Sequence, residues 1–232
     1  MRPAILTVGT RGYRAMAGEI IAWADATETW AACGIPQDVG EGAHFLDALP
    51  WPLPTLLRYH WYAVVLEANP WITHVLALDA DLRILGELDP ATLFSDRGLT
   101  AVEHPGYSGT LAHQAKPFEP DPRSSAFVAP QHQGPYYAGA VVGGPRQAFL
   151  ALCHAMVQRI DADLARGRIA TWHDESYLNA CLALHGTPPV VALPATYCAP
   201  EGQETVYPHA FPAKILARNK DHAAVRRQHG GR

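Results

Sequence analysis

The sequence lacks a strong excess of charge of either sign, a long hydrophobic run and any closely spaced pair of cysteines. Its 232 residues carry 18 lysines and arginines against 22 aspartates and glutamates, which gives a net charge of −4. A balance so close to neutral provides no electrostatic basis for binding nucleic acid or an anionic membrane. The one basic stretch, residues 220–232, is typical of a solvated tail. A chain of this length and composition is expected to form one globular domain over residues 1–232.

Four cysteines, Cys33, Cys153, Cys181 and Cys198, are widely spread and form no Cys-x-x-Cys pair. We therefore expect free thiols in a reducing compartment. The apolar run near the N-terminus is too short for a secretory signal or a membrane anchor. These features predict a cytoplasmic protein with no membrane span, or a membrane-anchored protein if a segment precedes Met1.

Apolar strand patterns alternate with amphipathic helix patterns along the chain. The strand candidates are residues 4–10, 75–78, 136–144 and 188–194. The helix candidates are marked by Met16, Ile20 and Trp23, by Leu57, Trp61, Val64 and Val65, and by the apolar positions within residues 149–164 and 177–182. Residues 36–54 and 104–135 are rich in proline, glycine and polar residues and predict loops. The alternation predicts an α/β fold with a mixed, mostly parallel sheet, whose ligands bind at the carboxyl ends of strands.

The first candidate site follows the strand at residues 75–78, where Asp79 and Asp81 flank Ala80. Residues two apart in an extended chain lie on the same side. Buried carboxylates are costly unless they are paired or ligated. Two such oxygen ligands suit Mn²⁺ or Mg²⁺, which commonly take their remaining ligands from substrate phosphates and water. The alternative is a turn at the strand end, where local hydrogen bonds favour aspartate.

The second candidate site is the Trp-His-Asp-Glu-Ser stretch at residues 172–176. Thr171 and Asp174 have the spacing of a capping box, and acidic residues suit the start of a helix. Capping accounts for Asp174 but not for Trp172, His173 and Glu175. A tryptophan ring can stack on a sugar, and glycosyl transfer needs a carboxylate near an oxocarbenium-like carbon. The stretch therefore predicts a sugar site.

The third candidate site is the glycine-rich strand at residues 136–144. Small residues there allow a ligand to approach the backbone closely. A tightly packed core strand is the alternative.

Taken together, these segments resemble glycosyltransferase family 6, the family of the histo-blood-group A and B transferases and the α-1,3-galactosyltransferases, which has bacterial and phage members. The matching segments are residues 76–84, 104–109, 136–144, 172–176 and 220–226, with a looser match at residues 6–13. The resemblance implies a GT-A fold with a Rossmann-like nucleotide-sugar-binding domain. It also implies retaining transfer of galactose or N-acetylgalactosamine from a UDP-sugar to a galactose 3-hydroxyl, forming an α-1,3 bond.

The resemblance also implies a role for each matching residue. Asp79 and Asp81 would bind Mn²⁺ or Mg²⁺, Glu175 would be the catalytic carboxylate, assisted by Asp174, and the tail at residues 220–232 would close over the donor. The implied donor-binding residues are Val8, Gly9, Thr10, Tyr13, Arg58, Ala80, Ala138, Gly139, Ala140, His173, Asp174, Lys220 and Arg226. The implied acceptor-binding residues are His104, Trp172 and Glu175.

Two positions bear on the identity of the sugars. Ala138 and Ala140 match the family's donor-selecting positions, and alanine at the second favours UDP-galactose over UDP-N-acetylgalactosamine, while the small Ala138 leaves extra space. The acceptor-binding aspartate of the family has no clear counterpart, although Glu201 lies nearby, and Pro117 replaces an acceptor-site threonine. The acceptor is therefore a galactose-containing glycan whose fucosylation stays open.

Two other functions fit the residues. One is a different metal-dependent nucleotide-sugar transferase with the same fold, in which only Asp79 and Asp81 keep their roles. The other is a non-catalytic carbohydrate-binding protein, which would need neither the aspartate pair nor Glu175. Within the transferase hypothesis, Glu175 either forms a covalent glycosyl-enzyme or stabilises a front-face transfer.

Overall fold

The computed structural model describes residues 1–27, 29–33, 49–96, 98–184 and 190–221. The strands are β1 (Pro3–Leu6), β2 (Ala31–Cys33), β3 (His74–Leu78), β4 (Leu82–Ile84), β5 (Thr100–Glu103), β6 (Tyr137–Pro145), β7 (Val191–Leu193), β8 (Ala199–Pro200) and β9 (Ile215–Ala217). The helices are α1 (Arg14–Asp25), α2 (Leu53–Ala68), α3 (Pro90–Leu93), α4 (Arg146–Leu164) and α5 (Asp174–Leu184).

Six of these strands form one mixed sheet in the order β2-β1-β3-β6-β5-β7. Strand β1 pairs in parallel with β2 and β3, and β5 pairs in parallel with β7. Strand β6 runs antiparallel to both of its neighbours, β3 and β5. The predicted α/β class and mixed sheet are thus confirmed for the described residues.

Alternating side chains of β1 and β3 pack on opposite faces of the sheet, as the twofold period of a strand requires. Leu6 and Val75 belong to the core on the face covered by α2, α4 and α5, together with Phe149 and Tyr177. Ile5 belongs to the core on the other face, which α1 covers. The sheet is therefore buried on both sides, and its ligand-accessible positions lie at its edges.

The antiparallel strand β6 brings a fourth segment to the carboxyl ends of β1, β3 and β5. Its first half, residues 137–141, lies beside the ends of β3 and β5, where Leu78 pairs with Val141 and Glu103 with Tyr137. This edge of the sheet gathers the first half of β6 and the segments that follow β1, β3 and β5, which together contain most of the predicted site residues.

A smaller sheet, β4-β9-β8, adjoins the same edge. Directly after β9, the backbone N–H of Arg218 donates to the carbonyl of Asp81 at 3.1 Å. The small sheet therefore carries the start of the C-terminal tail to the aspartate pair.

The loop at residues 104–135 contains short 3₁₀ turns but neither an α-helix nor a strand, as the sequence predicts. It is fixed to the helical layer through Asp163, a buried residue of α4. The Asp163 carboxylate accepts hydrogen bonds from the Ser124 hydroxyl at 2.6 Å, the Ser125 N–H at 3.0 Å and the Tyr177 hydroxyl at 3.1 Å.

Several local predictions were wrong. The first strand ends at Leu6, because the chain turns at residues 7–13 toward α1. Helix α2 exists, but Val64 is 50% exposed, and the buried face carries Arg58 and Tyr62. Periodicity missed this face because its inward-facing side chains include polar groups. Helix α2 also begins within the predicted loop at residues 36–54.

Other predictions lie partly beyond the described residues. Residues 34–48 and 185–189 are outside them, as is the side chain of Cys33, while β7 confirms the end of the strand predicted at 188–194. Cys153, Cys181 and Cys198 are buried free thiols, as predicted. None of the described helices is both long enough and apolar enough to cross a membrane.

Candidate functional site

The aspartate pair lies in a turn between β3 and β4. The N–H of Asp79 donates to the carbonyl of Ala140 at 2.9 Å, and the carbonyl of Asp79 accepts from the N–H of Leu82 at 3.1 Å. The expectation of an extended chain was therefore wrong, and the alternative of a strand-end turn describes the backbone correctly. Ala80, between the two aspartates, is buried.

Each aspartate binds a different basic side chain. The Asp79 carboxylate forms an ion pair with Arg58 of α2, and the Asp81 carboxylate forms one with Lys220. The Lys220 ammonium also lies 5.5 Å from the centroid of the Tyr13 ring, a cation–π distance. Residues from opposite ends of the chain therefore meet at the aspartate turn.

Arg58 links the aspartate turn to the start of α5. Its guanidinium donates to the carboxylates of Asp79 and Asp174 and, at 3.0 Å, to the carbonyl of Gly139. Burial by itself would lower the pKa of Arg58, but the carboxylates of Asp174 and Asp79 raise that pKa well above its ordinary value. Arg58 is thus a permanent buried cation shared by three acceptors.

Asp174 and Glu175 both have raised pKa values. Burial raises the pKa of Asp174 to about 6, although the adjacent Arg58 opposes the shift. Burial raises the pKa of Glu175 to about 7, although a hydrogen bond from the Gly139 N–H, at 2.8 Å, favours the ionised form. Two carboxyl groups with raised pKa values beside a third carboxylate, that of Asp79, are typical of a functional site.

Gly139 allows α5 to approach the sheet. A Cβ atom on Gly139 would lie 3.2 Å from the Glu175 Cβ, a distance at which the neighbouring atoms have to move. The strand is therefore tightly packed, as the alternative for residues 136–144 states, and this packing places the Glu175 carboxylate against the Gly139 N–H.

The two alanines of this strand differ in accessibility. Ala138 is 3% exposed and packs in the core on the α1 face, whereas Ala140 is half-buried at the edge of that core. A ligand at the sheet edge therefore has better access to Ala140 than to Ala138. Because Ala138 is enclosed in the core, its small size does not enlarge the space available to that ligand.

His104 follows β5 at the same edge. Its Nδ1 accepts the Gly106 N–H at 3.0 Å, and burial lowers the pKa of the ring to about 4. The ring is therefore neutral at pH 7, with its proton on Nε2, which is a hydrogen-bond donor. The ring centroids of Tyr107 and Tyr136 lie 4.9 and 6.0 Å from that of His104.

A cavity of about 150 Å³ lies beside His104. Its lining includes Glu103, Tyr107, Ser108, Lys116 and Tyr136. The Tyr136 hydroxyl is buried close to the Glu175 carboxylate, and burial together with this carboxylate raises its pKa. The cavity therefore offers aromatic walls and charged groups to a ligand.

Aromatic side chains flank the other side of the Asp174 turn. Trp172 is 51% exposed, and the His173 ring packs edge-on to Trp51, with centroids 5.4 Å apart. Trp51 is itself 43% exposed. Sequence reasoning missed Trp51, because it lies in a stretch without periodicity and approaches His173 only in the fold.

The segment after β1 supplies the remaining wall. A Cβ on Gly9 would lie 2.5 Å from the Ala17 Cβ and 2.8 Å from the Tyr13 carbonyl, so glycine is required there. The carbonyl of Thr10 accepts the Tyr13 N–H at 3.0 Å, and Val8 packs against the core on the α2 face. Arg226 lies outside the described residues, as does the rest of the predicted tail beyond Asp221.

The carboxylate of Glu201, which the sequence placed near the acceptor site, is already paired within the protein. Its carboxylate binds Arg83 at 2.8 Å and accepts the Asn219 N–H at 3.2 Å. Glu201 therefore stabilises the start of the tail beside the small sheet.

The donor set at the aspartate turn fits a particular kind of cation binding. Among the described residues, no group of three or more histidine, cysteine, aspartate or glutamate side chains is arranged to hold a metal ion. Asp79 and Asp81 supply two hard oxygen donors, and their side chains are 33% and 19% exposed. Such a pair suits a divalent cation that takes its other ligands from phosphate and water. It does not suit a cation whose ligands all come from the protein.

The fold and site define an α/β protein with an acidic site at the carboxyl edge of its sheet, walled by aromatic side chains. The sequence profile of glycosyltransferase family 6 matches residues 67–227, more than half of the chain, and this chain belongs to that family.

Named relatives agree with this assignment. The O-antigen biosynthesis glycosyltransferase WbnI of Escherichia coli is 32% identical over 129 residues, covering 56% of this chain and 54% of the relative. Human alpha-1,3-galactosyltransferase 2 is 41% identical over 125 residues, covering 53% and 35%. Human globoside alpha-1,3-N-acetylgalactosaminyltransferase 1 is 34% identical over 113 residues, covering 49% and 31%. The matched part thus spans between about a third and about half of these relatives.

Proposed function

We propose that this chain is a retaining glycosyltransferase with a single GT-A domain. It moves galactose, or N-acetylgalactosamine, from a UDP-sugar to the 3-hydroxyl of galactose in a glycan, forming an α-1,3 bond. The observation that carries the proposal is the junction at Arg58, which joins Asp79 to the helix start that bears Asp174 and Glu175. Family membership and the activities named for two human relatives support the choice of reaction.

The aspartate turn would bind the diphosphate end of the donor. Asp79 and Asp81 would hold Mn²⁺ or Mg²⁺ together with the diphosphate, and the cation would stabilise negative charge on the leaving UDP. The tail residues Lys220 and Arg226 would add positive charge over the diphosphate and exclude water. Val8, Gly9, Thr10 and Tyr13 would contact the uridine.

Glu175 would act at the anomeric carbon of the donor sugar. In its ionised form it offers a negative charge that stabilises an oxocarbenium-like transition state, or an oxygen that attacks to form a covalent intermediate. The hydrogen bond from the Gly139 N–H fixes this carboxylate before substrate binds. Retention of configuration is compatible with either route.

The donor sugar would lie against Ala140, with its hydroxyls bound by His173 and Asp174. The methyl group of Ala140 reduces the room for an acetamido group, which favours galactose. Arg58 keeps Asp174 ionised and oriented, because the pair shares a buried hydrogen bond.

The acceptor would enter between His104 and Trp172. The Nε2 proton of His104 would donate to an acceptor hydroxyl, and the exposed Trp172 ring would stack on the face of a sugar. The cavity bounded by Tyr107 and Tyr136 lies on the His104 side of this path.

The test is release of UDP from UDP-galactose and from UDP-N-acetylgalactosamine, with lactose or 2′-fucosyllactose as acceptor, in Mn²⁺ and in EDTA. The proposal predicts acceptor-stimulated release in Mn²⁺, faster with UDP-galactose, and its loss in EDTA. Release that survives EDTA would remove the metal from the proposal. Absence of release with both donors would contradict the proposed reaction and favour a transferase of another nucleotide sugar, and binding of glycan without turnover would favour a carbohydrate-binding protein.

A further inference from the structure

The turn before α5 has a strained backbone. His173 has a φ of +51°, in the left-handed region that residues other than glycine rarely adopt. Such a conformation persists only where surrounding contacts hold it. The contacts that hold this turn therefore also set the direction of Trp172 and His173 and the position at which α5 begins.

Each backbone N–H from residue 170 to residue 173 has an acceptor. They are the Tyr177 hydroxyl for Ala170 at 3.3 Å, Glu119 Oε2 for Thr171 at 2.6 Å, the Ser176 hydroxyl for Trp172 at 3.1 Å, and the Ala170 carbonyl for His173 at 3.0 Å. Three of these acceptors belong to the turn or to α5 itself. Glu119 is the external acceptor, and it comes from the loop at residues 104–135.

This arrangement corrects the expected helix cap. A capping box would place the Thr171 hydroxyl on the Asp174 N–H, but no such hydrogen bond is present within the described residues. The Thr171 backbone instead donates to Glu119, and the Asp174 carboxylate binds Arg58.

Glu119 is buried, with 4% of its surface exposed, and it has no ion-pair partner within the described residues. Its carboxylate lies between two backbone N–H groups, since Oε1 accepts from Asp121 at 2.9 Å while Oε2 accepts from Thr171. A buried carboxylate is tolerated only where hydrogen bonds compensate for lost hydration. Of its two described hydrogen bonds, the one from Thr171 connects the loop to the turn, and the one from Asp121 lies within the loop.

The loop that carries Glu119 is itself fixed. Glu119 forms an isolated β-bridge with Phe127. Shortly before Phe127 in the sequence, Ser124 and Ser125 donate hydrogen bonds to the Asp163 carboxylate. Asp163 also accepts from Tyr177, whose hydroxyl accepts the Ala170 N–H. The external contact at Thr171 is thus anchored to a rigid part of the helical layer.

We propose that Glu119 is a positioning residue for sugar transfer, acting through the Thr171 backbone on the turn that carries Trp172 and His173. The inference rests on the proposed function, since it assigns those two side chains and Glu175 to the reaction. Within the described part of the chain, the Glu119 side chain hydrogen-bonds to the backbone of Asp121 and Thr171 and to none of the site side chains. Its effect is to hold the turn in the geometry in which α5 begins at Asp174 and Glu175 meets Gly139.

The test compares Glu119→Gln with Glu204→Gln. Glutamine keeps the shape of Glu119 but has a single acceptor oxygen, so one of the two N–H groups faces an amide NH₂. Glu204→Gln is the matched control, because it makes the same chemical change at an exposed glutamate. The readouts are kcat, KM for each substrate, UDP affinity by calorimetry, and hydrogen exchange of the peptide that contains Thr171.

A mutation that displaces catalytic groups from a distance can lower the rate about a hundredfold. We therefore expect kcat for Glu119→Gln to fall about ten- to a hundredfold. UDP affinity should stay within about twofold, and amide exchange at Thr171 and Trp172 should accelerate. Glu204→Gln should match the unmodified protein in every readout. A parallel loss of UDP binding and thermal stability would identify a merely structural role and overturn the proposal.

Hydrogen exchange separates this inference from the proposed function. If the unmodified protein transfers no sugar, the proposed function fails, but the exchange rates still show whether Glu119 holds the turn. If Glu119→Gln does not fold, hydrogen exchange in the unmodified protein tests the inference instead. The inference requires that the Thr171 amide is strongly protected from exchange. An unprotected Thr171 amide, or unchanged kcat and exchange in Glu119→Gln, would overturn it.

Discussion

Asp79 and Asp174 share the guanidinium of Arg58, although one follows a strand and the other begins a helix far along the chain. The shared cation fixes the distance between the aspartate turn and the helix start. It also allows the buried Asp174 carboxylate and the partly exposed Asp79 carboxylate to remain close together, because the positive charge offsets their repulsion. The diphosphate end and the sugar end of the proposed donor site are therefore built as one unit.

Arg58→Lys is expected to lower kcat/KM about a hundredfold, because an ammonium group keeps the charge but cannot bind three acceptors in a fixed fork. The melting temperature should also fall, since Asp174 loses a buried hydrogen bond and Asp79 loses a partly buried one. Steady-state kinetics and thermal melting measure both effects. Arg83→Lys is the control, because Arg83 pairs with Glu201 at the surface. Full activity in Arg58→Lys would show that the junction is not needed for transfer.

The rate of transfer is expected to depend on the ionisation of Glu175. Its pKa is raised to about 7 by burial, so the carboxyl is mostly protonated at pH 6 and mostly ionised at pH 8. If the ionised form acts on the donor, kcat/KM should rise with pH through about 7 and then level off.

A pH series of kcat/KM measures this dependence, and Glu175→Gln should reduce activity strongly and abolish the rise. Glu67→Gln is the control, because Glu67 is an exposed surface residue that pairs with His154. A rate that falls as pH rises from 6 to 8 would indicate that the protonated carboxyl is the active form.

Gly139→Ala tests the close approach of α5 to the sheet. The added methyl group would lie 3.2 Å from the Glu175 Cβ, so α5 has to shift and the hydrogen bond to the Gly139 N–H should weaken. We expect kcat to fall about tenfold or more while the protein stays folded. Gly18→Ala is the control, because a Cβ there meets open space on α1 and should leave kcat unchanged. Equal activity in the two variants would contradict the proposed placement of Glu175.

Ala140→Gly tests the choice of donor. Removing the half-buried methyl group makes room for an acetamido group, and one methyl group in a pocket commonly changes specificity about tenfold or more. The ratio of kcat/KM for UDP-N-acetylgalactosamine to that for UDP-galactose should rise by this amount. Ala138→Gly is the control, because Ala138 is enclosed in the core and should change stability more than the donor ratio. A larger change of the ratio in Ala138→Gly would reverse the assignment.

The sequence predicts the parts of this site that depend on local patterns. The apolar runs before Asp79 and around Gly139 identify β3 and β6, and the residues of 172–176 stand out by composition alone. Because the strands of an α/β sheet end at a common edge, their convergence follows from the fold class.

What the sequence does not predict depends on contacts between distant segments. Glu119 lies in a loop without periodicity, and its importance appears only when Thr171 is seen to donate to it. The exposed face of α2 was misassigned, because its buried face includes Arg58 and tyrosines that serve the site. The sequence left a turn or an extended chain open at Asp79, since a single hydrogen bond from the Leu82 N–H decides between them.

The most direct measurement is the structure of the product formed from UDP-galactose and lactose in Mn²⁺, determined by NMR. The account predicts a trisaccharide in which the transferred galactose is α-linked to the 3-hydroxyl of the acceptor galactose, and no such product with Glu175→Gln. A β-linked product would contradict retention. Release of free galactose without any new glycosidic bond would contradict the assignment of this chain as a transferase.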